Sequence, residues 1–122
     1  MSAVSRILLV EDDASARNFL VAVLAHYIPD ANIIIATNGE AALAVHTQTP
    51  ADIIITDYIM PLMSGLDLII ALRTQQETTP IVMISGDYEV WKTALAAGAT
   101  IFLEKPIQTD DLIAAVTSLM PR

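Results

Sequence analysis

Short apolar runs, largely β-branched, recur along the chain at residues 7–10, 33–36, 53–56, 81–84 and 100–103. Each of the five stops at a residue with a polar or charged side chain: Glu11, Thr37, Asp57, Ser85 and Glu104. Runs of this length, uninterrupted and rich in Ile and Val, suit strands covered on both faces of a parallel sheet better than amphipathic helices. The segments between them have helical periodicity. From about residue 14, Ala16, Leu20, Val23, Leu24 and Tyr27 recur at spacings of three and four, and Pro29-Asp30 closes that helix. An Ala-rich helix spans 40–47 after an Asn38-Gly39 turn, and Ser64 is placed to cap a helix running to about residue 74. A helix after Asp87 runs to Ala97, where Gly98 suits a left-handed stop, and Thr109 or Asp110 is placed to cap the last helix. Strand-like and helix-like runs alternate five times, which predicts an α/β fold with a doubly wound, five-stranded parallel sheet and five helices.

Composition narrows the function classes. A chain of 122 residues is read as a single domain, 1–122, able to bury a core without cross-links. It has no cysteine, which excludes disulfides, thiol nucleophiles and Cys-based zinc sites. Met1-Ser2-Ala3-Val4-Ser5-Arg6 runs straight into the first strand without the apolar core of a signal peptide, and no apolar run reaches the roughly 18 residues of a membrane span. The expectation is a cytoplasmic protein with no membrane partner. Fourteen acidic against six basic residues give a net charge of −8, so direct nucleic-acid contact is not expected.

The acids matter more for where they stand. In an open parallel sheet, ligands bind outside the carboxyl ends of the strands. That edge would gather Glu11, Asp12, Asp57, Ser85 and Lys105. Crowded carboxylates repel unless a hard cation or a lysine neutralises them, and an all-oxygen set suits Mg²⁺. The same arrangement suits phosphoryl transfer: Asp57 as nucleophile, Lys105 as a positive charge and Ser85 as a hydroxyl donor to the phosphoryl oxygens. Each residue also has a structural reading. Lys105 balances Glu104 or Asp57, Ser85 caps the next helix, Asp12 or Asp13 caps the first, and Phe102 is core.

Residues 7–13, Asp57 followed by Met60-Pro61 and Gly65, Ile84-Ser85-Gly86, Ala97-Gly98-Ala99 and Lys105-Pro106 together resemble a two-component response-regulator receiver domain of the chemotaxis-regulator-like type, over essentially the whole chain. The resemblance implies the flavodoxin-like strand order 2-1-3-4-5. It implies that Asp57 accepts a phosphoryl group from a phosphohistidine on a sensor histidine kinase or histidine phosphotransfer protein. Glu11, Asp12, Asp57 and the backbone carbonyl of Ile59 would hold Mg²⁺, and Asp13 would cap the first helix. Ser85 and Phe102 would be the switch pair, altering the surface of helix 4, strand 5 and helix 5 where a downstream target or a second copy docks. The Lys105-Pro106 bond is expected to be cis. Such a chain is a signalling switch that catalyses its own phosphorylation and dephosphorylation, not a conventional enzyme. Ile59 and Asp87 would flank the mouth of the site, with Ile59 hindering the hydrolytic water.

The chain departs from the family between Ser85 and Lys105, where the spacing is shorter than usual. A tight loop or a shortened helix 4 is expected there, carrying Tyr88 and Trp91 as core filler or as an exposed anchor. Met120-Pro121-Arg122 follows the last helix with no output domain, compatible with a stand-alone receiver or a piece of a larger regulator. Two other readings compete: a degenerate receiver acting only as an interaction surface, and a flavodoxin-like module binding FMN or another phosphorylated ligand. The second lacks a Gly-rich loop after its first strand, where acids stand instead.

Overall fold

A computed structural model describes residues 5–121; the N-terminal Met1 to Val4 and Arg122 lie outside the described residues. Five strands, β1 (Arg6–Val10), β2 (Asn32–Ala36), β3 (Ile53–Asp57), β4 (Ile81–Ser85) and β5 (Ile101–Glu104), form one parallel sheet in the order β2-β1-β3-β4-β5. The helices are α1 (Ala14–Tyr27), α2 (Gly39–Gln48), α3 (Gly65–Thr74), α4 (Trp91–Ala97) and α5 (Thr109–Leu119). This is the expected doubly wound architecture. Among the described residues, no helix is long and apolar enough to cross a membrane.

The uninterrupted apolar runs work because the pleat sends alternate residues to opposite faces. Leu8, Val10, Ile54, Ile81 and Met83 pack with Ala42, Leu68, Leu72 and Ala94, on the side of α2, α3 and α4. Ile7, Leu9, Ile53, Ile55, Val82 and Ile84 pack with Leu20, Leu24, Leu112 and Val116, from α1 and α5. Every residue of β3 is buried, so both of its faces are core. Full burial of each such aliphatic side chain contributes about 1.5–3 kcal/mol.

Helix starts follow local chemistry. Asp13 Oδ2 accepts the Ala16 N–H at 2.8 Å and Ser64 Oγ the Asp67 N–H at 3.1 Å, both as expected. Asn38 is not a turn residue but the cap of α2, its Oδ1 accepting from Ala41 N at 2.8 Å. Neither Thr109 nor Asp110 caps α5: Gln108 takes the cap position without a side-chain bond, and Asp110 and Asp111 lie in the first turn, where their charge favours the helix dipole. The short spacing before Lys105 is absorbed by α4, which has seven residues and is preceded by a 3-10 turn over Tyr88–Val90 that Asp87 caps. Gly98 ends α4 at φ 120°, and Lys105-Pro106 is cis.

Two polar side chains tie the loops at the amino end of the sheet. Arg73 donates from Nε and Nη2 to the Gly98 carbonyl (3.1 and 2.8 Å), from Nη1 to that of Glu77 (2.7 Å) and from Nη2 to that of Thr79 (2.9 Å). Buried His46 accepts the Ala51 N–H at Nδ1 (3.0 Å), which leaves Nε2 to donate to Glu77 Oε1 (2.7 Å). These bonds join α2, α3 and α4 on the edge away from the acids.

Candidate functional site

Strand topology and backbone stitching assemble the site. β1 and β3 are neighbours, so Glu11, just past Val10, and Asp57, at the end of β3, emerge side by side. The Tyr58 N–H donates to the Ile84 carbonyl (3.0 Å) and the Lys105 N–H to that of Ser85 (2.9 Å), holding the ends of β3, β4 and β5 together. The structure brings Glu11, Asp12 and Asp57 together: one carboxylate oxygen from each lies within 4.8 Å of the others. Asp57 is buried, and its Oδ1 accepts the Tyr58 N–H (2.9 Å) and faces Lys105 Nζ at 3.2 Å. Lys105 therefore pairs with Asp57 rather than Glu104.

Glu11 is buried too. Its Oε2 accepts the Asp13 N–H at 3.1 Å, and Arg17 Nη1 donates to its backbone carbonyl at 3.1 Å. Burial pushes the Glu11 carboxyl above its ordinary range; the Asp13 N–H and Lys105 oppose this, and the charges of Asp57 and Asp12 add to it. Asp12 is exposed and Asp13 points away to cap α1. An all-oxygen donor set of this kind fits a hard divalent cation that keeps several waters, so the residues present fit Mg²⁺.

Ser85 is buried, and its oxygen accepts the Asp87 N–H at 3.0 Å, which leaves the hydroxyl proton to donate. Phe102 stands apart from the acids. It pairs in register with Met83, is half-buried against the α2–α4 core, and lines a groove with Tyr88 and Trp91. Ile59 presents its side chain to solvent at the mouth, 72% exposed.

Sequence reasoning missed three supports. Thr56 Oγ1 donates to the Asp57 carbonyl (2.9 Å), the Gly65 N–H donates to the Tyr58 carbonyl (2.9 Å), and Leu62 takes a left-handed φ of 69° in the loop between them. The available signal was Gly65 itself: a Cβ there would overlap the Asp57 carbonyl oxygen, so glycine lets α3 start against the end of β3.

A β2-β1-β3-β4-β5 sheet with an acid cluster and a lysine at its carboxyl edge defines a class of protein. The profile of the response regulator receiver domain matches residues 7–117, and the chain belongs to that family. Receiver domains of two-component response regulators are signalling switches, not conventional enzymes. The chain is 32% identical over 117 residues to sensory transduction protein RegX3 of Mycobacterium tuberculosis, covering 95% of this chain and 51% of RegX3. It is 34% identical to the alkaline phosphatase synthesis transcriptional regulatory protein SphR of Synechococcus elongatus, covering 99% of this chain and 51% of SphR. Among solved structures, chemotaxis response regulator CheY4 of Vibrio cholerae superposes with a TM-score of 0.86 at 29% identity, covering 97% of this chain and 100% of that one. The chain spans about half the length of the curated relatives it matches. Since SphR is by name a transcriptional regulatory protein, the relatives give no support to the expectation that nucleic acid is not contacted.

Proposed function

We propose that residues 1–122 form a single receiver domain that works as a phosphorylation-activated switch, with Asp57 accepting a phosphoryl group from the phosphohistidine of a sensor histidine kinase or histidine phosphotransfer protein in the cytoplasm. One observation carries this reading: the clustered carboxylates of Glu11, Asp12 and Asp57, with Lys105 Nζ 3.2 Å from Asp57 Oδ1. In the transfer, an Asp57 carboxylate oxygen forms the new O–P bond as the P–N bond to the donor imidazole breaks. The imidazole leaves with the electron pair and takes up a proton from solvent. Lys105 offsets the negative charge that the phosphoryl oxygens bring against the carboxylates, and the Ser85 hydroxyl donates to one of those oxygens. Glu11, Asp12, Asp57 and the Ile59 carbonyl would hold Mg²⁺, which when bound neutralises charge on the transferring phosphoryl group.

Dephosphorylation reverses the bookkeeping: water attacks phosphorus, the O–P bond to Asp57 breaks, and inorganic phosphate leaves. Ile59 slows that step by covering the approach. Ser85, drawn to the phosphoryl oxygens, frees space toward which Phe102 turns, and the surface of α4, β5 and α5 presents the change to a downstream target or a second copy.

The test is the intact mass after incubation with acetyl phosphate. A gain of about 80 Da, one phosphoryl group, that requires Mg²⁺ and disappears in Asp57→Ala is the expected result. No gain under conditions that modify a control receiver would overturn the switch reading and leave an interaction module that works without phosphorylation.

A further inference from the structure

A groove of about 420 Å³ lies between α4 and β5 and is lined by Tyr88, Trp91, Leu95, Ile101, Phe102 and Glu104, together with Thr100. Its chemistry is uneven. Tyr88 and Trp91 pack as a tilted pair, centroids 5.7 Å apart at 58°, and half of the Tyr88 surface is exposed. One carboxylate, that of Glu104, closes the groove, and exposed Asp87 and Glu89 stand on the turn that leads into it. Asp110 and Asp111 extend the acidic field onto the first turn of α5.

From Gly86 to Pro121 the basic side chains are Lys92 and Lys105, and Lys105 is engaged by Asp57. Lys92 already places its ammonium 5.7 Å from the centroid of the Trp91 ring, so that ring accepts a cation in this setting. A planar guanidinium suits the groove better than an ammonium. It stacks on an indole face while donating to a carboxylate, and it is more weakly hydrated.

We infer that this groove takes an arginine side chain, flanked by aliphatic residues, from a target protein. The inference rests on the reading of the α4–β5 face as the output surface and names the chemistry of its occupant. The aliphatic neighbours of the arginine cover Leu95 and Ile101, its guanidinium displaces Lys92 from Trp91 and pairs with Glu104, and Phe102 couples the groove to the phosphorylation site through β5.

Trp91 is the one tryptophan in the chain, so its fluorescence and indole N–H resonance report on this groove alone. The experiment titrates the protein, without any phosphodonor, with acetyl-Leu-Arg-Leu-amide and with the same peptide carrying citrulline, which keeps the shape and removes the charge. The Trp91 signals are expected to respond to the arginine peptide at about tenfold lower concentration. Glu104→Gln should abolish most of that preference, and Lys92→Ala, which removes the competing cation, should strengthen it. Equal responses to the two peptides, no response to either, or a preference unchanged in Glu104→Gln would each overturn the inference. So would Trp91 signals that move with protein concentration alone, which would assign the groove to a second copy. Because no phosphoryl group is involved, these failures are separate from a failure of Asp57 to be phosphorylated.

Discussion

Gly65→Ala sets two effects against each other at the phosphoacceptor. Propensity alone favours alanine in a helix by about 1 kcal/mol. The geometry opposes it: a Cβ at Gly65 overlaps the Asp57 carbonyl oxygen and comes within 3.1 Å of both the Asp57 carbonyl carbon and Thr56 Oγ1. The obstruction is backbone at the end of a fully buried strand, so no side chain can swing aside. Clearing it requires the start of α3 and the end of β3 to part by about 1 Å, and a misplacement of that size costs on the order of 100-fold in a positioned reaction. Overpacking of this kind also costs about 1–3 kcal/mol, which outweighs the propensity gain. The expected result is a fall of about 100-fold in the initial rate of phosphorylation by acetyl phosphate with Mg²⁺, followed by intact mass, and a lower unfolding midpoint. Gly86→Ala is the control, because the nearest atom to its Cβ is Lys105 Cβ at 4.0 Å. A Gly65→Ala protein that is phosphorylated within about threefold of the parent rate would refute the claim that the Gly65 contact positions Asp57.

Arg73→Met removes four hydrogen bonds to three carbonyls and is expected to cost about 3 kcal/mol, seen in urea denaturation as a lower midpoint with unchanged slope. Glu11 carries a pKa raised by burial, so its favourable share of folding is present when it is protonated and is lost as pH rises through its folded value. Glu11→Gln should therefore stabilise the protein in EDTA at pH 7 and leave it little changed near pH 4. Adding Mg²⁺ at pH 7 should stabilise the parent more than the variant. A variant less stable than the parent in EDTA at pH 7 would contradict the burial argument. Ile59→Asn exposes the mouth to a polar group that can hold water, and should shorten the phosphoryl lifetime by about tenfold in a timed mass assay; an unchanged or longer lifetime would count against a shielding role.

What the sequence disclosed depended on how local the controlling physics is. Strands β1, β3 and β4 were legible because uninterrupted Ile, Leu and Val have few alternatives, and the caps at Asp13 and Ser64 because they act within one turn. Asn38-Gly39 misled, since Asn before Gly serves a tight turn and a helix start equally well, and only the bond to Ala41 decides. The start of α5 misled because Thr109 and Asp110 fit both a cap and a first turn. The contraction of helix 4 followed from spacing, whereas the 3-10 turn over Tyr88–Val90 did not, because Asp87 serves the start of a 3-10 turn and of an α-helix equally well. At the acid edge, strand ends alone were enough to predict that Glu11, Asp12 and Asp57 would meet. The Arg73 and His46 ties were invisible, because their partners Gly98 and Glu77 stand 25 and 31 residues away in the chain.

The central claim is that the phosphoryl group resides on the Asp57 carboxylate. Borohydride reduces an acyl phosphate to the alcohol, so phosphorylated protein quenched with borohydride and digested should yield homoserine at position 57 and aspartate at positions 12 and 13. Homoserine absent from position 57 in protein that has gained the mass of a phosphoryl group would place the modification elsewhere and contradict the account.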